Sequence, residues 1–109
     1  MALSQAEVTA RVDRFIERVK QHVPVRDVYL FGSYAVGTPD EASDIDVAVV
    51  SPAFGADRHR DLTLLSRCRL PDALEIEALP FSERELQELP RGSFLREILR
   101  HGRVLSQSG

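Results

Sequence analysis

The strongest constraint on the fold lies between Val28 and Val50. The apolar run Val28-Tyr29-Leu30-Phe31 breaks at Gly32-Ser33, and a second apolar segment, ending at Val50, carries Asp44 and Asp46 at alternate positions. Short apolar runs bounded by glycine and loop residues read as strands. The order is therefore strand, tight turn, acidic strand. Side chains of a strand alternate between faces, so Asp44 and Asp46 point the same way, about 7 Å apart along the backbone. Two carboxylates so placed invite a divalent cation. Gly32 lets the backbone approach a ligand closely, and Ser33 can open a short helix whose first amides welcome a phosphate.

Two familiar phosphate and metal loops fail on this stretch. Gly32 and Gly37 echo half of a P-loop, but that motif needs Lys-Ser or Lys-Thr after the second glycine, and Thr38-Pro39 stands there. An EF-hand loop fails because Asp44-Ile45-Asp46 has no glycine at the required turn. Asp40 and Glu41 belong to the loop Gly37 to Ser43 and read as a solvated turn.

The words Phe31-Gly32-Ser33, ten intervening residues and Asp44-Ile45-Asp46-Val47 resemble the signature of the DNA polymerase beta-like nucleotidyltransferases. Gly-Ser-x-Ala-x-Gly together with Ser-Asp-Ile-Asp is most similar to the minimal nucleotidyltransferases, a small prokaryotic branch. The match is dense over Phe31 to Val50 and looser elsewhere. It departs at Val36, where many members of that branch carry an arginine.

The whole chain has 109 residues, enough for one domain, taken as residues 1–109. Hydrophobic residues make up 43% and charged residues 28%, and the net charge is -3, so no global basic field gathers nucleic acid. A lone cysteine, Cys68, excludes an internal disulfide and suits a reducing cytoplasm. No apolar run exceeds four residues and the N-terminus lacks an export pattern, so neither membrane insertion nor export is expected.

Ser4-Gln5-Ala6-Glu7 forms a capping box for a helix with Val8, Val12, Phe15, Ile16 and Val19 on one stripe, ending near His22. Val25 to Phe31 is the first strand, with Arg26 and Asp27 solvated at its start. Asp57 to Cys68 has helical spacing through Leu62, Leu65 and Cys68. Its Arg58, Arg60, Arg67 and Arg69 leave a locally basic surface, a solvated face by default and a triphosphate or partner contact otherwise. His22, His59 and His101 have no second ligand at zinc spacing and read as surface residues.

Ala73 to Pro80 alternates as a third strand, with Leu74, Ile76 and Ala78 on one face and Glu75 and Glu77 on the other. Two acids on one face of a short strand imply that at least one has a role beyond solvation. Ser82 caps a helix running to Leu89, and Ser93 caps a last helix with Phe94, Leu95, Ile98 and Leu99 buried. Val104-Leu105 can add an edge strand, and Ser106 to Gly109 is expected to fray. The element order predicts an α/β or α+β fold, helices packed on a small mixed sheet of three or four strands.

The resemblance implies the polymerase beta-like fold and metal-dependent transfer of a nucleoside monophosphate, most plausibly AMP from ATP, to a hydroxyl. It places a third carboxylate on a strand like Ala73–Pro80, where Glu77 fits best and Glu75 is the fallback. Asp44, Asp46 and Glu77 would hold two Mg2+ ions, for which Mn2+ can substitute, and Gly32 and Ser33 would bind the β- and γ-phosphates. Where Val36 replaces the arginine, Arg58 or Arg60 could supply the cation. Relatives of this size often act with a small helical HEPN-type protein as the antitoxin of a pair. The alternative is therefore a binding module that neutralises such a partner with little catalysis. A homo-oligomer is compatible with either reading, and a nucleic-acid substrate is disfavoured.

Overall fold

The cap at Ser4 sets the first helix, α1 (Gln5–Lys20). The Ser4 hydroxyl accepts from the Glu7 amide at 3.1 Å, and the Glu7 carboxylate accepts from the Ser4 amide at 3.0 Å. Val8, Val12, Phe15, Ile16 and Val19 are buried as their spacing requires. The structure, a computed structural model, describes residues 2–40 and 42–107. The elements that follow are β1 (Asp27–Phe31), α2 (Ser33–Val36), β2 (Ile45–Ser51), α3 (Arg58–Cys68), β3 (Ile76–Ser82), α4 (Glu83–Glu88), α5 (Phe94–His101) and β4 (Arg103–Gln107).

The four strands form one mixed sheet in the order β3-β2-β1-β4. Strand β1 runs antiparallel to both β2 and β4, and β2 runs parallel to β3. The parallel pair is made possible by the α3 crossover. Helices cover both faces. Val28, Leu30, Val47, Val49 and Ile76 pack with α1 and α3, while Tyr29, Ala48, Val50 and Phe81 pack with Leu86, Leu95 and Ile98 of α4 and α5. This explains why Val47 to Val50 is an unbroken apolar run: both faces of β2 are buried. Leu95 is 2% exposed, and truncating such a residue to alanine costs about 2–5 kcal/mol.

The expected α/β class and mixed sheet are present, with local differences. The third strand starts at Ile76; Leu74 is exposed and Ala73 takes the buried place before it. Leu62 is at the exposed rim of α3, and Phe94 is exposed too, its ring edge-on to Phe31 with centroids 5.5 Å apart. Helical periodicity marks a stripe but not which residue at its margin the neighbouring element covers. Asp27 is buried where β1 is flanked by β2 and β4, pairing with Val50 and Gln107, and its carboxylate accepts from the Tyr29 hydroxyl at 2.6 Å. Arg26 pairs with Glu83 at 2.9 Å. Ser106 and Gln107 pair with Val28 and Asp27 in β4 where fraying was expected; Ser108 and Gly109, like Glu41, lie outside the described residues.

Candidate active site

Strand β1 ends at Phe31, and Gly32 turns the chain with φ +74° and ψ −156°, a backbone that side-chain-bearing residues rarely adopt. Gly32 is the N-cap of α2, whose last turn is closed by Gly37 in the left-handed conformation. Tyr34 holds this single turn against the core, 3% exposed, and its hydroxyl accepts from the Leu3 amide at 3.2 Å. The first-turn amides of Ser33 and Tyr34 have no acceptor within the helix and are free to face an anion.

Directly opposite this turn stands Asp46. It pairs with Phe31 across the antiparallel ladder and with Glu77 across the parallel one. A Cβ on Gly32 would lie 2.2 Å from Asp46 Oδ2, so glycine is required for the turn to fold over this carboxylate. Asp46 is half-buried. Burial first, then the negative charges of Asp44 and Glu77, push its carboxyl above the ordinary range. Asp44 is exposed and precedes β2 by one residue.

Glu77 and Glu75 separate. Glu77 is in β3 beside Asp46, its carboxylate 4.0 Å from an Arg69 nitrogen. Glu75 lies one residue before the strand and reaches α1, accepting from Arg11 at 2.9 Å. The structure brings Asp44, Asp46 and Glu77 together near the Gly32-Ser33 turn and leaves Glu75 outside. Among the described residues no three His, Cys, Asp or Glu side chains converge closely enough to hold a metal ion as they stand. Like charges without a counterion repel, and Glu77 turns toward Arg69 instead. As donors, three carboxylates suit a hard cation such as magnesium. The missing Cβ at Gly32 lets the Asp46 carboxylate lie directly against the backbone of the turn.

Arg58 and Arg60 do not join this cluster. Arg58 donates to the Pro80 carbonyl at 3.5 Å, three residues and about 10 Å along β3 from Glu77. Arg60 lies on the side of α3 that faces α1. Arg69 is the cation that the sequence did not single out. It follows the last turn of α3, and only the crossover geometry brings it to Glu77. Asp61, in the first turn of α3, is buried, where it accepts from the Gly55 amide at 2.9 Å.

A model of the nucleotidyltransferase domain family matches residues 12–105. The chain belongs to that family. It is 35% identical over 81 residues to a candidate protein adenylyltransferase of Methanocaldococcus jannaschii, covering 74% of this chain and 78% of that protein. The fold of this nucleotidyltransferase domain is similar to that of a candidate nucleotidyltransferase from Sulfolobus solfataricus. That superposition gives TM-score 0.63 at 23% identity and covers 77% of this chain and 75% of the other. It is also similar to a chain of a toxin–antitoxin crystal structure with AMP-PNP, at TM-score 0.61 and 23% identity, covering 88% and 73%. Among the described residues no helix is long and apolar enough to cross a membrane.

Proposed function

We propose that this nucleotidyltransferase moves AMP from ATP to a hydroxyl on a partner protein. The observation that carries the reading is the meeting of Gly32, Asp46 and Glu77, with Asp44 adjacent, at one corner of the sheet. Asp44 and Asp46 would hold the magnesium that accompanies the nucleotide, and Asp46 with Glu77 a second one on the acceptor side. Bound there, the ions would neutralise charge on the phosphate oxygens and make the acceptor hydroxyl more acidic, so that it loses its proton as it attacks. The chain's own part is orientation. The amides after Gly32 receive the terminal phosphates, and the Ser33 hydroxyl can donate to the same group. The rigid ladder fixes Asp46 against the turn, so the attacked phosphorus and the acceptor are held rather than found by diffusion.

The relative named as a protein adenylyltransferase supports both the adenylyl group and a protein acceptor. The similarity to a chain of a toxin–antitoxin crystal structure with AMP-PNP supports an adenine nucleotide and a protein partner; the resemblance in sequence suggests a small helical HEPN-type protein, in the cytoplasm, as that partner. A second reading, a neutralising module with little catalysis, is favoured by Val36. It is 57% exposed at the end of α2 and offers no cation to the phosphates.

Labelled ATP, magnesium and the product of the neighbouring gene separate the two. Transfer of label that Asp46→Asn and Glu77→Gln abolish supports the enzyme. Tight complex formation with no label, unchanged by either substitution, would leave only the module.

A further inference from the structure

We infer that the groove between α1 and α3 is a second anion site, for a phosphorylated small molecule, separate from the acidic corner. A cavity of about 430 Å³ opens there, within the roughly 300–1,000 Å³ range of small-ligand pockets. Two helical stripes line it. Helix α3 presents Arg60, Thr63, Leu64 and Arg67, spaced three, four and seven residues from the first, and the end of α1 presents Arg18, Gln21 and His22. His59 completes the mouth.

The charge pattern is one-sided. Among the described residues no carboxylate lines the cavity, although the chain as a whole is negative. Arg18 is occupied, donating to the Cys68 carbonyl at 2.7 Å and pairing with Asp72 at 3.0 Å. Among the described residues, the side chains of Arg60, Arg67, His22 and His59 make no hydrogen bond or ion pair. Arg60 and Arg67 stand seven residues, about 10 Å, apart along one face of α3, near enough for both long side chains to reach one anion. Their planar donor forks match phosphate oxygens in pairs. Leu64 and buried Cys68 form an apolar floor that a base or sugar ring can cover. A short groove with cations along its sides and an apolar base matches a compact phosphate ester, which carries both an anion and an apolar ring, better than an extended acidic segment.

This site is independent of the transfer reaction. The side of α3 that carries Leu62, Leu65 and Ser66 faces Arg69 and Glu77, whereas the stripe through Arg60 and Arg67 faces α1. Occupancy would therefore bridge α1 to α3 without touching Gly32 or Asp46.

The test is a nuclear magnetic resonance titration of the full nitrogen-15-labelled chain, without divalent cations and at fixed ionic strength. Inorganic phosphate, AMP and a polyglutamate peptide are added in separate arms. Saturable shifts at the amides of Gln21, Thr63, Leu64 and Arg67 are expected with AMP. Tighter binding of AMP than of phosphate identifies an ester site, and equal affinity identifies a site for free phosphate; either supports the proposal. Arg60→Glu with Arg67→Glu should weaken AMP by at least about tenfold, and Asp46→Asn should leave it unchanged. Should the charge reversals disturb folding, Arg60→Gln with Arg67→Gln serves, and the wild-type shift map decides by itself. The proposal is overturned by any of three outcomes: no saturable shift, shifts centred on Ser33 and Tyr34, or saturation by polyglutamate while AMP gives none.

Discussion

Asp27 and Asp46 are carboxylates on the same face of the same strand pair, yet they are treated in opposite ways. Asp27 faces Val50 across the β1–β2 ladder at one end, and Asp46 faces Phe31 at the other. Asp27 is 1% exposed and receives the Tyr29 hydroxyl at 2.6 Å. Asp46 is half-buried between two further acids, and a glycine is folded over it. A buried charge that serves the fold is satisfied by hydrogen bonds. At Asp46 the chain instead gathers negative charge that raises the carboxyl's hold on its proton and that a bound cation can offset. The difference marks Asp46 as a position held for chemistry at the expense of stability.

The largest expected effect comes from removing that charge. Asp46→Asn should lower nucleotidyl transfer by about 10³-fold or more, the scale of losing a central electrostatic contact. It should also raise thermal stability at neutral pH. The Asp46 carboxyl is raised above 3.8 in the folded chain, so the folded state binds its proton more tightly than the unfolded state does. Stability therefore falls as pH rises through the raised value, and asparagine removes that loss. In chelator at pH 7 the variant should melt higher, and near pH 3 the difference should vanish. Magnesium with ATP should stabilise the native chain and not the variant. A variant that melts lower at pH 7 would place Asp46 with Asp27, among the structural acids.

Gly32→Ala probes the same contrast from the turn. The methyl group would meet Asp46 Oδ2 at 2.2 Å, and φ +74° strains any side-chain-bearing residue by roughly 1–3 kcal/mol. The short aspartate must move aside. Since a misplacement of about 1 Å can cost about 10²-fold in rate, activity should fall far more than folding does. Chemical denaturation and a transfer assay on one preparation check this.

The glycine break and the alternation that carries Asp46 are local signals, which is why this corner was legible in the sequence. The sheet class followed from the same periodicities. Asp27 was misread as solvated because its burial depends on β4, a strand whose pairing spans most of the chain. Phe94 and Leu62 show the matching failure in helices, where period alone does not say how far a neighbour extends. Glu75 and Glu77 share parity, so alternation could not separate them. Only the register of β3, with Ile76 opposite Ile45, does so. Arg69 was read with Arg58, Arg60 and Arg67 as one basic surface, and only the crossover, which sets the end of α3 beside β3, shows which of the four reaches Glu77.

The other side of the comparison is tested by Tyr29→Phe. It leaves Asp27 short of a donor in a closed environment and should cost about 1–3 kcal/mol. Transfer should be unaffected, because Asp27 is four residues, about 13 Å, along β1 from Phe31. Burial, then the hydrogen bond to Asp27, push the Tyr29 phenol from 10.0 up to about 12. The folded state therefore keeps its proton longer than the unfolded chain. The resulting stability is complete below pH 10 and lost as pH rises through about 12. Denaturation across that interval should show a fall in the native chain that the phenylalanine variant lacks.

The smallest effect belongs to Glu75→Gln. Its partner Arg11 is 2.9 Å away, but the two side chains keep 28% and 38% of their exposure, so solvent and salt screen the pair. Such pairs contribute about 0–1 kcal/mol, and the loss should shrink further as salt is added. Transfer should stay within about twofold, against a loss of about 10²-fold for Glu77→Gln, an acid in direct register with Asp46. The two substitutions remove the same charge from positions two residues apart, so general electrostatics cannot produce that contrast. If Glu75→Gln impaired transfer as strongly as Glu77→Gln, the third acidic ligand would not be set by strand register. The division between acids that hold the fold and acids that do chemistry would then have to be redrawn on the α1 side of the sheet.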